Sequence, residues 1–414
     1  MGSVLTGLSH DDIIYVQLLA ISLIGALSFK QLRSGQIRQI CATATGVFLV
    51  ILVCKVHSLY IFTLIFANLA LVRFVPRRRL PLISFAYSFA HLTFFRCAYL
   101  LGLPRPNPHT NAALLIVTLR CVGLCFELKD ADESSQHQAV WSDSGGQRTT
   151  QRTSGSETDI VDRNVQAKDI TTPKLFCYLF NFAGLFTGPY FTYRVHCDAI
   201  EMPNLHRIPV AHELWSRVLS IPIYAIVFIF VTTLFPLQAM HTDQFYTDHG
   251  FLFHIFYMVP VFVYFRMRVY IAWMLAESTC IAYGLGAYPA DSRPKIGRGP
   301  TKSSTPGSSD QSAIVYSFET VRNIDPHGCE FAPTFRESMR AWNRSVQYWL
   351  ASCIYRRAPK AYRMSLTMLV SAFWHGVHPG YYLSFLTIPL CTYAEDLAFK
   401  YCLRVGLSAC QCQL

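Results

Sequence analysis

The sequence predicts an all-α polytopic membrane protein built as one multi-helix bundle, and three observations carry that prediction. Hydrophobic residues make up 52% of the 414 positions against 15% charged, and mean hydropathy is +0.28. Apolar blocks approaching the roughly 20 residues needed to cross a bilayer recur along the whole chain. The +11 net charge, from 36 Lys+Arg against 25 Asp+Glu, sits largely in short stretches between those blocks, as cytoplasmic loops do. Length alone would allow two or three soluble domains, but the composition excludes them, and the placement of the basic residues argues against nucleic acid as a partner. Of the 14 cysteines, Cys41, Cys54, Cys97, Cys121, Cys125 and Cys280 lie in apolar segments and read as buried thiols.

The first apolar block, Ile13 to Phe29, follows Asp11 and Asp12 and shows no small-residue cleavage site, so a retained anchor is expected. Ile40 to Val53 and Leu59 to Val72 follow, split at Lys55-Val56-His57. Lys30, Arg33 and Arg38, and then Arg73, Arg77, Arg78 and Arg79, mark two cytoplasmic loops, which puts the N-terminus on the luminal side. Leu80 to Leu103 carries His91 and Arg96, and Ala112 to Leu128 returns to the cytoplasm. Residues 129–172 are polar without helical or strand period and are expected to form a flexible cytoplasmic loop. The run Leu175 to Tyr193 is broken at Thr187-Gly188-Pro189-Tyr190, and such a break must lie against protein or a wet cavity. Ser216 to Leu234 is another span. Phe251 to Tyr288 is long enough for one long helix or two short ones, with Arg266, Tyr270, Trp273 and Glu277 on one helical face. Residues 289–312 read as a second loop, basic and rich in Gly, Pro and Ser. Tyr381 to Leu397 is the last mostly apolar block.

The stretch Arg336 to Gly380 is the candidate functional region. Wound as a helix, Arg336, Arg340, Asn343 and Gln347 share one face while Met339, Trp342, Val346, Trp349, Leu350 and Cys353 share the other. A nearly all-apolar helix from about Tyr362 then ends near His375, because Pro379 disfavours helical geometry at His378. An ionisable residue at the end of an apolar span is costly to place and marks a site by default. A neutral imidazole there can take a proton, and the Asn343 amide can hold a developing oxyanion or orient the histidine. An amphipathic interfacial helix followed by an ordinary span explains either element alone, but poorly explains the two so close in sequence. His375 and His378 are three apart with no third metal ligand at sensible spacing, so no metal is expected. Asn343-Arg344-Ser345 is formally a glycosylation sequon, poorly placed between Trp342 and Trp349. The Arg266 to Glu277 face reads equally as a buried ion pair or as a phosphate contact.

Trp342-Asn343 followed by Ser371-Ala372-Phe373-Trp374-His375-Gly376-Val377-His378-Pro379-Gly380-Tyr381-Tyr382 resembles the membrane-bound O-acyltransferase family, in its lysophospholipid acyltransferase branch. Phe95-Arg96, Leu101-Gly102-Leu103-Pro104, Thr187-Gly188-Pro189, Phe256 to Glu277, Thr320 to Asp325 and Gly380 to Pro389 extend the likeness over most of residues 10–395. The resemblance implies a bundle with an internal catalytic chamber, a multi-pass location in the endoplasmic reticulum membrane, and no cofactor beyond acyl-CoA as co-substrate. It implies transfer of a fatty acyl group, arachidonoyl by preference, from acyl-CoA to a lysophospholipid, here lysophosphatidylinositol. It makes His375 and Asn343 the essential pair. Arg266, Tyr270, Trp273, Trp342, Gln347, Trp374 and His378 are the candidate substrate contacts, and Arg356, Arg357, Lys360 and Arg363 a basic rim for CoA. Family members continue past the histidine helix with several apolar segments, so residues 399–414 are expected to be an altered, truncated end of a single membrane-embedded domain, 1–414. The alternatives are a transporter or channel with Arg96, Arg266 and His375 along its path, and a catalytically silent scaffold.

Overall fold

A computed structural model describes residues 9–105, 107–143, 170–303 and 314–404. Four helices come first: α1 (His10–Lys30), α2 (Gly35–Cys54), α3 (Ser58–Phe74) and α4 (Leu80–Cys97). Ser9 starts α1 through a capping box, its hydroxyl accepting from the Asp12 amide at 3.2 Å while Asp12 accepts from the Ser9 amide at 3.0 Å. The helix α5 (Pro108–Asp143) follows. After it come α6 (Thr172–Leu179), α7 (Tyr193–Glu201), α8 (Ala211–Val218), α9 (Ile221–Leu234), α10 (Asp243–Thr247) and α11 (Phe251–Tyr283). The C-terminal third holds α12 (Pro326–Phe331), α13 (Phe335–Ala341), α14 (Arg344–Leu350), a π-helical turn Ala351–Tyr355, α15 (Arg363–His375) and α16 (Pro379–Arg404). The protein is thus an all-α polytopic membrane protein. Among the described residues, five helical stretches are long and apolar enough to cross a bilayer: His10–Lys30, Gly35–Phe74, Pro108–Ser135, Ala211–Leu234 and Phe251–Tyr283. Their outer faces expose Ile24, Ile40, Phe48, Ile226, Phe230, Phe256 and Phe262, the side chains a bilayer would cover.

Three expectations change and one open alternative is settled. Residues 129–143 continue α5 as helix; a polar stretch with no Gly or Pro has nothing to stop it, and residues 144–169 lie outside the description. Residues 289–303 form packed structure, with Tyr288–Pro289 pairing antiparallel to Tyr316–Ser317 and a bridge between Lys295 and Gly299. Gly297 sits at φ 69° so close to the Tyr348 ring that a Cβ would lie 2.4 Å from it; residues 304–313 lie outside the description. Phe251–Tyr283 is one helix through Pro260. Of the run Leu175 to Tyr193, α6 takes the first few residues and 180–192 is largely irregular. The tail residues 405–414 lie outside the description; the preceding 399–404 are the end of α16.

Helix α5 is the column the bundle is built around. Leu114, Val117, Leu119, Cys121, Val122 and Cys125 are buried, and α2, α3, α4, α6 and α7 pack on it. It also holds the non-helical segment in place. Arg120, fully buried, donates to the carbonyls of Asn181 at 2.9 Å and Ala183 at 2.6 Å and stacks over the Phe191 ring. Two turns further on along the same face, Glu127 accepts from the amides of Tyr193 at 2.9 Å and Arg194 at 3.2 Å, the first turn of α7. The same segment presses on α2, where a Cβ on Gly46 would fall 1.8 Å from the Phe180 carbonyl oxygen.

Replacing Arg120 by Met strands those carbonyls, at about 1–3 kcal/mol for each buried group left unmade. The melting temperature of detergent-purified protein should fall clearly for Arg120→Met; an unchanged melting curve would show that Arg120 does not hold this segment.

Candidate active site

Two interruptions of helical backbone build the site. The first is the end of α15. His375 is its last helical residue and Gly376 continues in extended backbone, as the proline downstream requires. The carbonyls freed there converge on Arg96 of α4, which donates to Phe373 O at 3.0 Å, Trp374 O at 2.7 Å and His375 O at 3.1 Å. Its Nε donates to Asn111 Oδ1 at 3.1 Å, so the guanidinium is held from both sides. A cation at this end also suits the helix dipole. The imidazole lies among rings, with centroids 4.8 Å from Phe385, 5.9 Å from Tyr381 and 4.6 Å from Trp374.

The second interruption corrects the sequence reading. Arg336 to Gln347 is not one helix: α13 stops at Ala341, α14 starts at Arg344, and Asn343 stands between them in left-handed geometry, φ 43° and ψ 51°. Asparagine tolerates that region where most residues do not. The freed backbone groups are taken up by the segment 323–325: Asp325 N donates to Ala341 O at 3.0 Å and Arg344 N to Asn323 O at 2.7 Å. Gln347, expected to contact substrate, instead donates its amide to Met339 O at 2.6 Å and to Trp342 O. Segment 323–325 is itself anchored by the buried Glu277 of α11, whose Oε1 accepts from Asn323 N at 2.7 Å and Ile324 N at 2.8 Å; Arg217 lies 3.4 Å from its other oxygen.

Both interruptions open on one cavity of about 170 Å³. Asn343 and His375 line it together with Trp273, Trp374, Asn323, Ser345, Tyr15 and Thr187-Gly188. Its geometry is referred to α5 by two indoles: Trp374 Nε1 donates to Leu115 O and Trp349 Nε1 to Leu119 O, each at 3.0 Å. On the α1 side, Tyr15 hydrogen-bonds Phe186 O at 3.0 Å and the Thr187 hydroxyl, closing the wall formed by the irregular segment. Tyr15 and Ala112 also line a neighbouring pocket of about 280 Å³ between α1, the start of α5, α9 and α11, which carries His109 and Arg268.

The remaining candidates are not at this cavity. Arg266 pairs with Glu330 at 2.7 and 3.0 Å and Tyr270 donates to the same carboxylate at 2.7 Å. Arg266 and Glu277 therefore have separate partners rather than each other. Trp342 packs against Tyr270 and Trp273, and His378 is exposed beyond the helix end. A transport path through Arg96, Arg266 and His375 is not what this arrangement offers: the first guanidinium is committed to carbonyls and the second to a carboxylate. Tyr15, Asn323 and Ser345 are the lining residues that motif reading missed. Asn323 had one signal, its place inside Thr320 to Asp325.

The family model for MBOAT, the membrane-bound O-acyltransferase family, matches residues 103–404. The chain belongs to the membrane-bound O-acyltransferase family. It is 39% identical over 393 residues, 94% of this chain and 80% of the relative, to the membrane-bound acylglycerophosphatidylinositol O-acyltransferase MBOAT7 of Bos taurus. Identity to the Homo sapiens MBOAT7 is 38% over the same shares. Identity to the Drosophila melanogaster protein frj, which bears the same enzyme description, is 34% over 94% of this chain and 79% of the relative. Asn343 and His375 of this O-acyltransferase line one chamber between its helices.

If Arg96 sets the pose of His375, Arg96→Lys, which keeps the charge and loses the fork, should lower acyl transfer by about 10²-fold through misplacement alone. Steady-state assay of the purified variant, with its melting temperature as control, decides this; full activity would sink it.

Proposed function

We propose that this enzyme transfers a fatty acyl group from acyl-CoA to the sn-2 hydroxyl of lysophosphatidylinositol, with arachidonoyl the preferred chain, in the endoplasmic reticulum membrane. The observation that supports it is the shared cavity of Asn343 and His375 in a chain whose relatives carry that enzyme description. His375, as general base, takes the proton of the acceptor hydroxyl while its oxygen attacks the thioester carbonyl carbon. The C–O bond forms and the carbonyl electrons move to oxygen. As the tetrahedral intermediate collapses the C–S bond breaks, and the imidazolium returns its proton to the departing CoA thiolate. Asn343 orients the acceptor or bonds the oxyanion. No acyl-enzyme is required, and Cys353, buried in the core, is not needed as a nucleophile.

The two substrates differ in where they come from. Arg356 and Lys360 are exposed in the turn before α15 and offer charge to the CoA phosphates. Arg357 is partly engaged by Asp130, at 2.6 and 3.1 Å, and Arg363 stacks on Tyr355, so the basic rim rests mainly on the first two. The pocket beyond Tyr15 is a lateral place for the lysolipid, with Arg268, 2.5 Å from Asp12, as its cation.

Purified wild type given lysophosphatidylinositol and arachidonoyl-CoA should form phosphatidylinositol, and His375→Ala and Asn343→Ala should each lower kcat by about 10² or more. Activity surviving both substitutions defeats the mechanism. Offered an equimolar panel of lysolipids and acyl-CoAs, the enzyme should consume lysophosphatidylinositol and arachidonoyl-CoA first; an even product spread would refute the preference while leaving the transfer intact.

A further inference from the structure

We infer that Asn323 is a third catalytic residue, whose side-chain N–H donates to the thioester carbonyl oxygen as it becomes an oxyanion. This rests on the acyl-transfer reading above. Asn323 lines the cavity with Asn343 and His375 although only 1% of its surface is exposed.

The orientation of its amide is fixed by chemistry. The Ser345 backbone N–H, 3.1 Å away, can only donate, so the Asn323 atom facing it is the oxygen Oδ1. The Ser345 hydroxyl gives the same oxygen a second bond at 2.5 Å. That hydroxyl's own lone pair is occupied by the Tyr190 N–H at 3.0 Å, so it has its proton to spare for Asn323. With Oδ1 tied down, Nδ2 faces the other way. It has no protein partner among the described residues, nor is it among the polar atoms sealed from solvent without one. A buried side chain whose one unengaged atom is a donor, on the wall of a reaction cavity, is placed to meet an acceptor that arrives with substrate.

The backbone around it is equally constrained. Asn323 N is bonded to Glu277 and Asn323 O to Arg344 N. An amide held at its backbone N–H, its backbone carbonyl and its side-chain oxygen does not reorganise when charge develops, which is the condition under which a donor lowers the barrier most. The Asn343 carboxamide lacks a cap hydrogen bond of its own and is free to orient the acceptor hydroxyl. The roles then divide: His375 moves the proton, Asn343 aims the attacking oxygen, and Asn323 receives the carbonyl charge. No atom or electron is added to the step already written.

The test is Asn323→Asp, which keeps an oxygen for Ser345 and loses the N–H donor. Should that variant fail to purify as a monodisperse protein, Asn323→Ala is read against Ser345→Ala, which loosens the same contact and keeps the Asn323 N–H donor. Acyl transfer is measured with both substrates varied, beside binding of a thioether analogue of acyl-CoA, which has no carbonyl to stabilise. The expected result is a fall in kcat of about 10²–10³ with analogue affinity and both KM values within about threefold of wild type. A kcat within threefold of wild type overturns the assignment, and so does a loss of turnover matched by an equal loss of analogue binding, which would make Asn323 structural. A wild-type chain that transfers no acyl group fails earlier, at the acyltransferase reading itself, and takes this inference with it.

Discussion

Backbone that leaves the helix at bilayer depth has no water to turn to, and this protein leaves it at several places around one cavity. The break at Asn343 is met by the backbone of 323–325, and the other departures by side chains reaching in from other helices. Arg120 gathers the carbonyls of 181 and 183, Arg96 those of 373 to 375, and Glu277 the amides of 323 and 324. These three ionisable groups are expensive to bury, and each is offset by several charge-assisted hydrogen bonds. Those bonds satisfy the irregular backbone around the chamber.

The departures also decide which groups face the reactants. A residue within a helix has its backbone consumed and its side chain packed by neighbours a turn away. Asn343, in left-handed geometry between two helices, and His375, at a helix end, are released from that pattern and line the cavity. Tyr15, Trp273 and Trp374 supply the apolar walls, within which charges interact with little screening. Polar chemistry is thus confined to a few positions whose orientation is set from outside.

Most of the bundle was legible in the sequence, because length and apolarity alone mark a span. Ile13 to Phe29 lies within α1, Leu59 to Val72 within α3, and Ser216 to Leu234 covers α9. The expected end of the histidine helix was legible too, since Pro379 forbids its continuation. Asn343 was expected within a helix and stands between two. A single left-handed residue hardly disturbs a 3.6-residue pattern, so Arg336 to Gln347 scans as one amphipathic helix. The partnership of Asn323 with Ser345 joins residues 22 positions apart through a bond that no spacing rule describes. For the same reason Arg266 and Glu277, correctly assigned to one helix, found their counter-charges on α12 and α8. Polarity misled in 129–143, where a solvated helix and an irregular loop have the same composition.

Trp349 and Trp374 come from different segments yet fasten to carbonyls of Leu119 and Leu115, one turn apart on α5. The asparagine and histidine segments therefore share a datum. A rotation or shift of α5 would carry both anchors in step and keep the spacing across the chamber. Outer helices can part for bulky lipids while the reacting geometry stays in register.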